Sequence, residues 1–159
     1  VTTTAREAHD LLLGRGETVG VAESLTGGLT SAALTALPGA SLTFRGGLVV
    51  YATDLKALIA DVPLELLETR GAVDPLVAAA LASGARRRLG ATWGLGLTGV
   101  AGPDRQDGQP VGVVHIGLAG PTGEPVVRSL ALDGDREEIR RASVEAALCL
   151  LRDSLLERE

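Results

Sequence analysis

The sequence predicts a three-layer α/β/α domain with a mixed, largely parallel central sheet and a late antiparallel hairpin. Three observations carry this. Helical stripes alternate with short apolar strands in the first half. Glycine- and hydroxyl-rich turns follow those strands. A pair of alternating segments flanks Pro121-Thr122-Gly123-Glu124 in the second half. Strands separated by helices run parallel, whereas strands separated by a short turn pair antiparallel.

Ala5, Ala8, Leu11 and Leu12 form one helical stripe, ended by Gly14 and Gly16, which places His9 on the solvent side. Thr18 to Ala22 reads as a buried strand running into Glu23-Ser24-Leu25-Thr26-Gly27-Gly28, with a small-residue helix over Leu29 to Leu37. Pro38-Gly39 is a turn, because Pro presets φ and Gly tolerates the left-handed region. Leu48 to Tyr51 is short, apolar and β-branched, the pattern of a buried strand. Thr53 or Asp54 caps the helix beyond it and sets Lys56 in the first turn. Pro63 to Leu67 opens a further helix, stopped by Gly71. Asp74-Pro75 starts the helix over Leu76 to Leu89, whose last turn carries Arg86, Arg87 and Arg88 against the negative end of its dipole. Trp93 to Leu97 is a strand leaving through Thr98-Gly99-Val100-Ala101-Gly102-Pro103, followed by an aperiodic polar loop, Asp104 to Gln109. Val111 to Ala119 and Pro125 to Leu132 form the hairpin, with His115 in a structural position mid-strand. Asp135 caps a long last helix, whose apolar stripe takes Cys149 into the core.

At 159 residues, the chain is one domain by size, residues 1–159, and buries a core built from Ala, Val and Leu. A net charge of −5 opposes a role on DNA or an anionic membrane, which needs a basic patch. One cysteine excludes an internal disulfide and a cysteine-rich zinc site. The acids, the two histidines and the cysteine are scattered, so no metal and no cofactor is expected. No signal peptide opens the chain and no apolar run reaches membrane-spanning length, which makes the cytoplasm the expected location. Val1 is not an initiator, so either a Met has been removed or the chain is a piece of a longer protein.

The stretch from Leu37 to Lys56 concentrates chemistry. It holds a turn hydroxyl (Ser41), then a phenol (Tyr51) and an amine (Lys56) five residues apart. Ser with Lys, and Tyr nearby, is a nucleophile and its base; the same residues also serve as an ordinary turn hydroxyl, a packing ring and a solvated charge. The Glu23 to Gly28 turn offers backbone N–H groups to an anion, or caps a helix and lets it approach the sheet.

Together, A-E-S-L-T-G-G (22–28), P-G-A-S…F-R-G-G…Y-A-T-D-L-K (38–56), L-T-G-V-A-G-P (97–103), D-G-Q-P-V-G (107–112) and G-D-R-E-E-I-R (134–140) resemble the CinA carboxy-terminal domain family over essentially the whole chain. Leu25 departs from it, since many relatives carry Cys there. Characterised members are nicotinamide-nucleotide amidases. The resemblance implies hydrolysis of nicotinamide mononucleotide to nicotinate mononucleotide and ammonia, with Ser41 as nucleophile assisted by Tyr51 and Lys56. It also implies a substrate site drawn from Ser24, Thr26, Gly27, Gly28, Thr98, Gly99 and Arg140, with Arg136 competing for the last role. The expected partner is the nucleotide substrate, not nucleic acid or a membrane. The expected assembly is a homo-oligomer, a dimer being one form, and some relatives fuse this domain to another. A nucleotide-binding module without turnover, and a competence or DNA-damage factor, remain as alternatives.

Overall fold

The computed structural model describes residues 1–158. The element order is α1 (Thr3–Arg15), β1 (Val19–Glu23), α2 (Leu29–Thr35), a 3₁₀ turn (Ala40–Leu42), β2 (Phe44–Val49), α3 (Thr53–Ala60), α4 (Leu64–Arg70), α5 (Pro75–Leu89), β3 (Trp93–Gly99), β4 (Val113–Ala119), β5 (Val126–Ala131) and α6 (Arg136–Leu156). The five strands lie in the order β2-β1-β3-β4-β5. The first three are parallel, and β4 and β5 run antiparallel to their neighbours, as the alternation of elements required.

Two cores sandwich the sheet. One joins α1, α2 and α6 to its first face through residues such as Leu12, Leu95, Ile116 and Leu151. The other joins α3, α4 and α5 to the second face through Val50, Ala60, Val77 and Leu81. With so few aromatic side chains, close approach replaces bulk. A Cβ on Gly96 would lie 2.5 Å from the Ala78 carbonyl oxygen, and one on Gly84 would lie 1.7 Å from that of Ala60. These glycines let α5 rest directly on β3 and let α3 rest on α5. Caps follow the sequence: Asp74 accepts from Leu76 N–H ahead of Pro75, and Asp135 and Glu138 form a reciprocal capping box on α6.

Several local expectations are corrected. The strand expected over Leu48 to Tyr51 is Phe44–Val49, and it is an edge strand with alternating exposure, because only β1 pairs with it. The helix expected to reach Leu37 ends at Thr35. No side chain caps α3, whose N-cap is Ala52, although Lys56 does fall in its first turn. His9 is buried at 5% exposure, with Nδ1 2.8 Å from Thr43 Oγ1. The buried face of α1 is Thr4, Ala5, Ala8, His9 and Leu12, and an imidazole satisfied by a hydroxyl takes a place that periodicity assigned to solvent. Cys149 is half-buried beside Glu145 and is not in the core.

Candidate active site at the carboxyl ends of the parallel strands

The carboxyl ends of β1, β2 and β3 converge on one edge of the sheet, where open α/β folds hold their ligands. Backbone bonds lock these ends together: Ser24 N–H donates to Leu97 O at 3.1 Å, and Val50 N–H donates to Glu23 O at 2.9 Å.

Just past the end of β1, Ser24 meets Lys56. Lys56 is 1% exposed. Its Nζ lies 3.1 Å from Ser24 Oγ, 2.9 Å from Val50 O and 3.1 Å from Tyr51 O. Burial disfavours the ammonium and lowers the amine's pKa to about 8, while the Asp107 carboxylate pulls in the opposite direction. The two carbonyl oxygens can only accept. In the neutral amine they engage both N–H groups and leave the nitrogen lone pair for the Ser24 hydroxyl.

Glu23 fixes this corner from beneath. Its side chain is fully buried. One oxygen accepts from Thr26 Oγ1 at 2.7 Å and Thr30 N at 2.8 Å. The other accepts from Ser31 N at 3.1 Å and Ser31 Oγ at 2.7 Å. Burial raises the carboxyl's pKa, but the bonds from Ser31, Thr26 and Thr30 outweigh it and hold the group below its ordinary value. The carboxylate thereby occupies the start of α2 and pins the turn that carries Ser24.

Above Ser24 opens a cavity of about 320 Å³, lined by Ser24, Leu25, Tyr51, residues 99–106 and Arg136. The amides of Leu25 and Ala101, two residues that line it, have no acceptor among the described residues. The segment over residues 104–109 is anchored by Asp107, whose Oδ2 accepts from Ala72 N–H at 3.0 Å.

The expected Ser41–Lys56 pairing is not formed. Ser41 lies exposed in the 3₁₀ turn before β2, and Lys56 lies beyond the strand's far end. Six residues at about 3.3 Å each put roughly 20 Å between the two ends. Tyr51 is at the cavity but 57% exposed. It touches Lys56 through its carbonyl, while its phenol oxygen accepts from Arg136 Nη2 at 3.2 Å. The Thr26 hydroxyl is committed to Glu23 and the Thr98 hydroxyl to Ala72 O at 2.7 Å, both out of solvent. Gly27 and Gly28 shape the turn with positive φ, and Gly99 lines the cavity. Arg140 braces the turn from outside, donating to Leu25 O at 2.9 Å and Thr26 O at 3.3 Å. Arg136 lines the cavity and donates to Gly102 O at 2.6 Å. Sequence reasoning assigned no role to Glu23, Asp107 or Arg105. The signal for Glu23 was a carboxylate closing an otherwise apolar strand, with hydroxyls three and eight residues on.

Fold and site together define an α/β domain with a buried serine–lysine pair at the carboxyl edge of its parallel strands. A model of the CinA C-terminal domain matches residues 1–155, and the chain belongs to that family. It is 55% identical over 145 residues to a CinA-like protein of Frankia casuarinae, covering 91% of this chain and 33% of that one. It is 47% identical over 156 residues to a CinA-like protein of Gloeobacter violaceus, covering 97% and 37% respectively. The chain thus spans about a third of the length of the curated relatives it matches. Among solved structures, the competence damage-inducible protein A of Klebsiella pneumoniae superposes with a TM-score of 0.93 at 28% identity, covering 98% of this chain and 97% of that one. A competence/damage inducible protein of Agrobacterium tumefaciens gives 0.89 at 34% identity, covering 98% and 96%.

Proposed function

We propose that this domain is an amidohydrolase that cleaves the carboxamide of nicotinamide mononucleotide, with Ser24 as nucleophile and Lys56 as its base. The observation that carries this is the desolvated Lys56 amine, its N–H groups directed to two carbonyl oxygens, facing the Ser24 hydroxyl at 3.1 Å. The substrate identity comes from the resemblance to nicotinamide-nucleotide amidases. The cavity's volume, at the lower end of small-molecule sites, suits it.

In this scheme neutral Lys56 takes the Ser24 proton as Oγ attacks the carboxamide carbon. Two amides with no acceptor among the described residues, those of Leu25 and Ala101, receive the oxyanion; each such donor is worth about 10²–10³ in rate. The Lys56 ammonium then protonates the departing nitrogen, the C–N bond breaks and ammonia leaves an acyl-serine. Water attacks the acyl carbon while Lys56 accepts its proton. That proton returns to Ser24 Oγ as nicotinate mononucleotide departs. Glu23 and the carbonyls of Val50 and Tyr51 act as positioning groups.

Ammonia release from nicotinamide mononucleotide tests the scheme. Ser24→Ala is expected to lower kcat/KM by at least about a thousandfold. Ser41→Ala is expected to stay within a few-fold of wild type, because Ser41 is exposed at the other end of β2. The reverse pattern overturns Ser24 as nucleophile.

A further inference from the structure

The geometry points to a phosphate subsite formed by the guanidinium groups of Arg105 and Arg136 at the cavity wall, and not by the Glu23 to Gly28 turn. The inference rests on the mononucleotide reading of the same site and adds where its anionic end sits.

The glycine-rich turn is the first place to seek an anion, because helix starts attract negative charge. Here that position is already filled. The Glu23 carboxylate collects the N–H groups of Thr30 and Ser31 and the hydroxyls of Thr26 and Ser31. A second anion beside it meets like-charge repulsion and finds those donors engaged. Arg140, whose guanidinium touches the turn, spends Nε and Nη2 on the Leu25 and Thr26 carbonyls and does not line the cavity.

Arg136 and Arg105 do line it. Arg136 is held in place by the Gly102 carbonyl and the Tyr51 phenol. A guanidinium carries five N–H donors, so these two contacts orient it and leave donors for a ligand. Neither arginine forms an ion pair among the described residues, although Asp104 also lines the cavity. Two guanidiniums without a carboxylate partner among the described residues, beside a nucleophile, match a phosphate monoester, which arginine binds in a forked, two-bond geometry. The exposed phenol of Tyr51 then has a clear task, which is to steer Arg136.

The test compares phosphorylated and dephosphorylated ligands in wild type, Arg105→Met, Arg136→Met and the double variant. Calorimetric binding of nicotinate mononucleotide and nicotinate riboside is one readout; kcat/KM for ammonia release from nicotinamide mononucleotide and nicotinamide riboside is the other. Each single variant is expected to lose roughly ten- to a hundredfold in affinity for the mononucleotide and little for the nucleoside. Arginine-dependent mononucleotide binding without ammonia release keeps the subsite and removes the amidase reading. Ammonia release with the same mononucleotide preference in every variant keeps the amidase and overturns the subsite. Wild type that binds neither ligand overturns the subsite as well. Arg140→Met serves as the contrast: a loss confined to the phosphorylated ligand there, with Arg105 and Arg136 silent, also refutes the assignment.

Discussion

Replacing Lys56 by Arg isolates the property on which the proposed chemistry depends. A lysine with its ordinary pKa near 10.5 is neutral in only about three molecules in ten thousand at pH 7, whereas one lowered to about 8 is neutral in about a tenth. Burial therefore raises the fraction of competent base about 300-fold, equivalent to about 3 kcal/mol at roughly 1.4 kcal/mol per pKa unit. In wild type, kcat/KM for ammonia release should rise about tenfold per pH unit below 8 and level off above it, reporting the free enzyme. Lys56→Arg retains the positive charge and has no basic lone pair at any accessible pH. Loss of about 10²–10⁴ in kcat/KM is expected, and the limb near 8 should vanish. Asp107→Asn, which removes a carboxylate that favours the ammonium, should move the limb to lower pH. The assay is ammonia release across pH 6 to 10 for the three proteins (about two units either side of the expected pKa). Lys56→Arg within a few-fold of wild type, or a wild-type limb at pH 10 or above, would falsify the role of Lys56 as base.

Three further outcomes are expected. Glu23→Gln sets amide N–H groups against donors that now converge on a carboxylate, at a cost on the order of 3 kcal/mol in denaturant unfolding. Because the folded carboxyl is lowered, its stabilisation is present above the ordinary carboxylate pKa and lost as pH falls through the folded value. The variant should therefore lose less stability than wild type on acidification, and an unchanged acid limb would exclude Glu23 as its source. Gly84→Ala brings a methyl group to 1.7 Å from the Ala60 carbonyl oxygen. The resulting clash, about 1–3 kcal/mol, should outweigh the roughly 1 kcal/mol gained in helix propensity, and a higher melting temperature would refute that packing. For Lys56→Met the sign follows from a folded pKa below the unfolded one. The unfolded chain holds a proton that the folded chain has released between about 8 and 10.5, so wild type gains on the variant as pH rises through that window. Parallel stability curves for the two proteins would show that the amine is not desolvated.

Much of the fold is legible locally. The 3.6-residue stripe of α1, the apolar run of β1, Asp74-Pro75 ahead of α5 and the alternation around Pro121 to Glu124 each carry their own periodicity or turn chemistry. The strand ends could likewise be located, because hydroxyl- and glycine-rich turns follow the apolar runs. The burial of His9 and the edge position of β2 are not legible locally, for one reason. Exposure depends on which surface covers a residue, and neither Thr43 over the imidazole nor the unpaired edge of β2 is encoded within a window of the chain.

The residue types of the candidate site were present in the sequence, but their partnerships were not. A serine, a phenol and a lysine close together in one segment suggested that Ser41 and Lys56 act as a pair. The intervening β2 strand instead carries the chain from one end of the sheet to the other. Parallel pairing of β1 with β2 brings Ser24 to Lys56 across 32 residues of sequence, and the same pairing isolates Ser41. By itself, the sequence determined the order of elements, the family and the inventory of hydroxyls and amines. Only the tertiary structure decided which hydroxyl faces the buried amine, because register and strand direction are set by packing both faces of the sheet at once.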